Sequence, residues 1–140
     1  MISTTAEYAL RAVVFLAEKN GGRWTTRRIA EATQIPPGYL AKVMQTLVKA
    51  GVVSGQRGVN GGFSLDRPPK EVSIYEIIRV IDPLKRIRDC PLKLPEHVDE
   101  LCPLHSRLDQ AVAQIEASFR DSSVADLLSR PTFCPAKDAR

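Results

Sequence analysis

Gly38, Lys42, Gln45 and Lys49 recur every three or four residues, so on a helix they share one edge, while Leu40, Val43, Met44 and Leu47 share another. Amide and ammonium groups held on a rigid helix can bond base edges and phosphates in a DNA major groove. The plainer alternative is a solvated helix face, and the neighbouring residues weigh against it. Downstream runs Ser54-Gly55-Gln56-Arg57-Gly58-Val59-Asn60-Gly61-Gly62-Phe63-Ser64-Leu65. Asn60-Gly61 signals a tight two-residue turn between two short strands that project Gln56, Arg57 and Asn60. Glycines there let backbone approach a phosphate or groove wall, and Arg57 supplies the cation. A second chemistry lies in Cys90, Cys102 and Cys134, with His97 and His105 nearby in sequence. An odd number of cysteines in a reducing compartment is poorly explained by disulfides, which leaves free thiols, metal ligands or redox groups.

Several elements must position these groups. A first helix is expected from Thr4, whose hydroxyl with Glu7 fits a capping box, to about Glu18 before Asn20-Gly21-Gly22. Ala9, Leu10, Val13, Val14, Leu16 and Ala17 cover much of its circumference, which predicts a helix sandwiched between others. Thr25 or Thr26 caps a second helix with Arg27 and Arg28 outward and Ile29, Ala30 and Ala32 inward. Pro36-Pro37 opens the recognition helix, whose stripes run from Tyr39 to Ala50, because a first turn needs no amide donor, and Gly51 stops it before Val52-Val53.

Beyond the hairpin, Arg67-Pro68-Pro69-Lys70 is a connector and Ser73 with Glu76 forms another capping box, introducing Ile74, Ile77, Ile78 and Ile81 until Asp82-Pro83. The stretch 83–103 holds Pro83, Pro91, Pro95 and Pro103 and lacks periodicity; a loop of roughly 20 residues is uncommon in a compact domain and points to function or disorder. A long helix from about Leu104 to Arg120 aligns Leu104, Leu108, Ala111, Ile115 and Phe119, a heptad-like stripe that suits self-association or packing on the first helix. Ser123 and Asp126 cap a last short helix, Val124 to Leu128, stopped by Pro131, and the tail to Arg140 is expected to be loose. The organisation is therefore a winged helix-turn-helix over 1–82, a cysteine-containing loop over 83–103, a helical pair over 104–130 and a tail over 131–140, all within one domain.

With 140 residues and 44% hydrophobic content, one domain with a modest core is expected. The net charge of +4 is uneven: residues 1–70 carry ten Lys/Arg against four Asp/Glu (+6), and 71–140 ten against twelve (−2). The basic excess coincides with the helix-turn-helix, which favours a polyanion as partner. No apolar run approaches the roughly 18 residues of a membrane span, and a signal-peptide core is absent, so a cytoplasmic protein is expected. An enzyme would need a nucleophile with its base, paired carboxylates or a phosphate loop; Gly58-Val59-Asn60-Gly61-Gly62 lacks the Walker lysine. The remaining rival is a winged-helix protein-interaction module, whose binding lacks the steep salt dependence of a DNA complex.

Taken together, Thr5-Ala6-Glu7-Tyr8-Ala9-Leu10, Pro37-Gly38-Tyr39-Leu40-Ala41-Lys42, Gly51-Val52-Val53-Ser54-Gly55-Gln56-Arg57-Gly58 with Gly61-Gly62-Phe63, and Cys102-Pro103-Leu104-His105 are a specific combination in order and spacing. Over nearly its whole length the chain resembles the IscR/NsrR-like winged-helix regulators, the Rrf-two family. The resemblance implies a mainly α fold, a winged helix-turn-helix with a small two-stranded β wing and a long C-terminal dimerisation helix. It also implies a homodimer that sets two recognition helices on a pseudo-palindromic operator in double-stranded DNA, as a transcription regulator of the repressor kind. Family DNA contacts map to Tyr39, Lys42 and Arg57, with Thr26, Arg27 and Asn60 as neighbours; Gly38, Gln45, Lys49 and Gln56 join them from the residue pattern.

Members of this family often hold an iron-sulfur cluster in the loop before the dimer helix, on three cysteines and one other ligand, and so sense redox, nitric oxide or iron-sulfur status. Cys90 and Cys102 match the first and third cysteines of that set, while Glu96 stands where the middle one is expected, beside His97. His105, three residues after Cys102, and Glu7, reaching from the other subunit, match the alternative fourth ligands. A two-thiolate cluster drawing on Glu7, His97 or His105 is one option and a cluster-free regulator another. Each residue also has an ordinary reading: Glu7 as the capping acid, His97 as exposed loop, Cys102 and His105 as residues of a helix start, Cys134 as a bystander. A helix N-terminus stabilises negative charge, so thiol-based redox sensing at Cys102 is a third option.

Overall fold

The computed structural model describes residues 1–97 and 100–128, with the His97 side chain left aside. Helices α1 (Thr4–Glu18), α2 (Thr26–Thr33) and α3 (Pro37–Lys49) are followed by strands β1 (Ser54–Gln56) and β2 (Gly62–Ser64), then by α4 (Ile74–Ile81), α5 (Pro103–Asp121) and α6 (Val124–Leu128). The fold is the expected mainly α winged helix-turn-helix.

Nine of the fifteen residues of α1 are buried, because alanine and valine run round its circumference and α2, α3, α4 and α6 all pack on it. Its cap differs from the expectation. Ser3, not Thr4, has the extended backbone a cap requires, and its hydroxyl accepts from the Ala6 N–H at 3.2 Å. The box acid would then fall at Ala6, so Glu7 sits one position too late for that role, and it is exposed.

Thr25 caps α2, its hydroxyl accepting from the Arg28 N–H at 3.3 Å. Gln34 takes a left-handed conformation (φ 59°) that turns the chain into Ile35-Pro36-Pro37. Ala32 was expected inside and is exposed; Thr33 is buried in its stead and donates to the Ile29 carbonyl at 2.7 Å. The reason is angular: at 100° per residue, Thr33 falls between Ile29 and Ala30 and Ala32 outside them. On α3, Leu40, Val43, Met44 and Leu47 are at most 2% exposed, each burial stabilising by roughly 1.5–3 kcal/mol. Gly51, at φ +74°, ends the helix.

The two strands pair antiparallel, Ser54 with Ser64, Gly55 with Phe63 and Gln56 with Gly62. That register leaves a loop over 57–61, so the expected two-residue Asn60-Gly61 turn does not form. The reversal lies at Gly58–Gly61, where the Gly61 N–H donates to the Gly58 carbonyl at 3.0 Å and Val59-Asn60 form its corner. Tertiary packing overrides the dipeptide: a Cβ on Gly61 would meet the Gln56 carbonyl oxygen, and one on Gly62 the backbone of Trp24 at 2.7 Å. Trp24 and Phe63 exchange both backbone hydrogen bonds, at 2.9 and 2.8 Å, so the wing is tied to the segment before α2.

Ser73 caps α4 by accepting from the Glu76 N–H at 3.1 Å, while the Glu76 carboxylate pairs with Arg67 of the connector. Asp82 closes α4 as expected, and its carboxylate accepts from the Ser3 N–H at 3.1 Å. None of the 19 residues of α5 is buried, and Leu104 and Leu108 are 63% and 45% exposed. The α6 cap forms through Asp126, which accepts from the Ser123 amide and hydroxyl at 2.7 and 2.9 Å. Pro131, Cys134 and the tail lie outside the described residues.

Candidate nucleic-acid interface and cysteine loop

The polar edge of α3 is where the spacing put it: Gly38, Tyr39, Lys42, Gln45 and Lys49 are all exposed. No side chain caps α3, and Pro36 and Pro37 carry no amide hydrogen, so the donors of its first turn fall to Gly38 and Tyr39. A Cβ at Gly38 would meet nothing within 4 Å, so the backbone is open to a phosphate at the positive end of the helix dipole. Gln56, Arg57 and Asn60 are exposed on the wing, Arg27 is exposed on α2, and Thr26 is half-buried.

Arg27 is paired with Glu31 at 3.0 Å, with both side chains mostly exposed. Such a pair on a helix contributes only about 0.3–0.5 kcal/mol, so a phosphate can replace Glu31 as its partner at small cost. Arg28 has a different task, its guanidinium lying 4.7 Å from the centre of the Trp24 ring. Tyr39, at the start of α3, packs edge-on against Tyr8 of α1 with ring centres 6.2 Å apart. Arg11 lies 5.8 Å from the Tyr8 ring centre and also donates to the Thr33 carbonyl at 3.2 Å, bracing the turn between α2 and α3. Tyr8, Arg11, Trp24 and Arg28 were not singled out from sequence as site residues. The only signal was aromatic residues within a few positions of cations.

In the loop, Cys102 caps α5: its sulfur accepts from the His105 N–H at 3.5 Å and lies 3.1 Å from His105 Nδ1. Cys102 is half-buried and Cys90 buried, both as thiols. Glu96 is exposed on a 3-10 turn, Pro95–His97, and Glu7 is exposed on α1. The His97 side chain is outside the described residues. Among the described residues no three His, Cys, Asp or Glu side chains are gathered closely enough to hold a metal ion. Of the expected ligands, the described residues of one chain bring together Cys102 and His105, and that pair by itself does not fit an iron-sulfur cluster.

The start of the loop is fastened to α5 by charge. Arg86 places Nε and Nη2 on the two carboxylate oxygens of Asp109, each at 2.7 Å, and the Ile87 N–H donates to the same carboxylate at 2.8 Å. The Arg86 fork, then the Ile87 amide, hold the Asp109 carboxyl down to about 2 from its ordinary 3.8.

The Rrf2 family profile, described as an iron-dependent transcriptional regulator, matches residues 2–130. A protein of Aquifex aeolicus that carries the name of an HTH-type transcriptional regulator is 33% identical over 132 residues, 92% of each chain. Among solved structures, CymR (YrzC), the global cysteine regulator of B. subtilis, superposes with a TM-score of 0.77 at 27% identity, covering 92% of this chain and 96% of that one. T. potens IscR gives 0.74 at 26% identity, with 92% and 86% covered. No helix among the described residues is long and apolar enough to cross a membrane.

Proposed function

The chain belongs to the Rrf2 family of transcription regulators, and from that premise we propose that it acts as a homodimer on a pseudo-palindromic operator, as a repressor in the cytoplasm. It is a DNA-binding regulator and not an enzyme. The observation that carries the contact assignment is the exposed Gly38, Tyr39, Lys42, Gln45 and Lys49 edge of α3 beside a wing presenting Gln56, Arg57 and Asn60, with Thr26 and Arg27 on the flank. Lys42 and Gln45 reach base edges in the major groove, while Arg57, Lys49 and the α3 amides take phosphates. Titration of duplex DNA tests this: affinity falls by orders of magnitude between ~50 and ~200 mM salt, and Lys42→Ala and Arg57→Ala each weaken binding, with the salt slope dropping by about one per phosphate contact removed. Unchanged affinity in both variants would remove the assignment.

The dimer reading rests on α5, a helix of 19 residues with none buried and with Leu104 and Leu108 facing out. A second copy of α5 supplies the missing partner, and its two-fold axis sets the reading heads about 34–36 Å apart, one turn of DNA. Sedimentation tests it, with Leu104→Asp and Leu108→Asp together expected to yield monomers that no longer bind the operator. Signal input is assigned to the loop bearing Cys90 and Cys102. Anaerobic purification with visible spectra and iron and sulfide analysis decides its chemistry. Colourless, iron-free protein that binds its operator and ignores oxidants would leave the loop as scaffold.

A further inference from the structure

The wing ends in a side chain that the fold does not use. Val59 is fully exposed at the corner of the Gly58–Gly61 turn, between Arg57 and Asn60. Single exposed apolar residues are ordinary. What distinguishes this one is the stiffness of its support. The Gly61 amide closes the turn on Gly58, Gly61 and Gly62 sit where a Cβ would strike backbone, and Phe63 is bonded in both directions to Trp24. The tip is thus held at a fixed place on the finger, at the end of a three-residue strand about 10 Å long. With glycine at 58, 61 and 62 the finger is also thin, a width suited to the minor groove, about 6 Å across, that flanks a major groove occupied by α3.

Valine brings no donor or acceptor to that groove. Facing an A·T pair, it meets a floor that bears only acceptors; facing G·C, it meets the guanine 2-amino group, which projects into the groove and would lose its water without gaining a bond. We infer that Val59 is a specificity-determining residue, entering the minor groove beside the recognition site and selecting A·T pairs by excluding the guanine amino group. Arg57, two residues away, takes a phosphate at the edge of that groove. The inference rests on the DNA-binding reading above and adds to it the base pairs read by the wing.

The test uses the full-length protein and duplexes it selects from a random-sequence pool. Replacing A·T by G·C at a position under the wing is expected to weaken binding about tenfold, within the range of a single mismatched pair. Replacing it by inosine·C, which keeps the G·C major-groove pattern and lacks the amino group, is expected to restore binding to within about twofold. In Val59→Ala the A·T over G·C ratio falls to within about twofold, whereas Lys49→Ala, at a phosphate contact, lowers affinity for all duplexes alike and keeps the ratio. Val59→Ala retaining the full discrimination, or native protein indifferent to A·T at those positions, would overturn the inference. Failure to enrich any duplex would instead overturn the DNA-binding reading on which it stands.

Discussion

The wing and the cysteine loop are both irregular, exposed excursions, and they are held in place by different physics. The wing is fixed by backbone: strand pairing, the Trp24–Phe63 exchange and two glycines that no other residue can replace without collision. The start of the loop is fixed by one carboxylate, Asp109, holding a guanidinium and an amide from Arg86 and Ile87. Backbone pairing is indifferent to pH and salt over a wide range, whereas a charge fork is sensitive to both. A reader of DNA gains from the first, and on the signal-input reading proposed above a responsive element would gain from the second.

The sharpest way to break this contrast is at Gly62. Gly62→Val places a branched side chain at φ +138° against the Trp24 backbone, and strain of this kind costs about 1–3 kcal/mol before any clash is counted. Thermal unfolding is expected to fall by several degrees and operator affinity by at least about tenfold, with secondary structure retained. Asp109→Asn is expected to act on the other side only: the Ile87 amide exchanges faster in hydrogen-exchange mass spectrometry, while the Trp24 and Phe63 amides keep their protection. Should the wing amides loosen as well, the two regions would not be independent.

Acid provides a milder probe. Asp109 is depressed in the folded protein, so its contribution is complete above its ordinary 3.8 and disappears as pH falls through about 2. Ile87 protection should therefore be lost across that window. The wing has one comparable group at its base, Asp66, held below its ordinary value by the Ser54 and then the Ser64 hydroxyl. Acid loosens that base too, but the Trp24 and Phe63 amides are expected to remain protected at a pH where Ile87 is not. The smallest effect belongs to Glu31→Ala, which frees Arg27: stability changes by less than about 0.5 kcal/mol and duplex affinity rises slightly.

The sequence made the recognition helix fully legible, because a 3.6-residue period over Pro37–Lys49 separates buried Leu40, Val43, Met44 and Leu47 from exposed Gly38, Lys42, Gln45 and Lys49 without tertiary help. The Gly51 stop and the Ser73 cap were equally local. What escaped was set by partners distant in the chain. Trp24 and Phe63 meet across 39 positions and Arg86 and Asp109 across 23, pairings that no local pattern announces. The wing turn was misplaced partly for the same reason, since Gly62 answers to Trp24 and not to the Asn60-Gly61 propensity. In the cysteine loop, spacing identified Cys102 with His105 because one helical turn joins them, but could not place Cys90, Glu96 or Glu7 relative to that pair.

Tyr8 rests on Tyr39 at one end of α1, while the body of α1 is clasped by α2, α3, α4 and α6, and α4 in turn touches α5. A close-packed rod of alanine and valine has almost no give. In the homodimer proposed above it would serve as a pushrod, the route from an α5 seam to the start of α3 passing through α4 and α1.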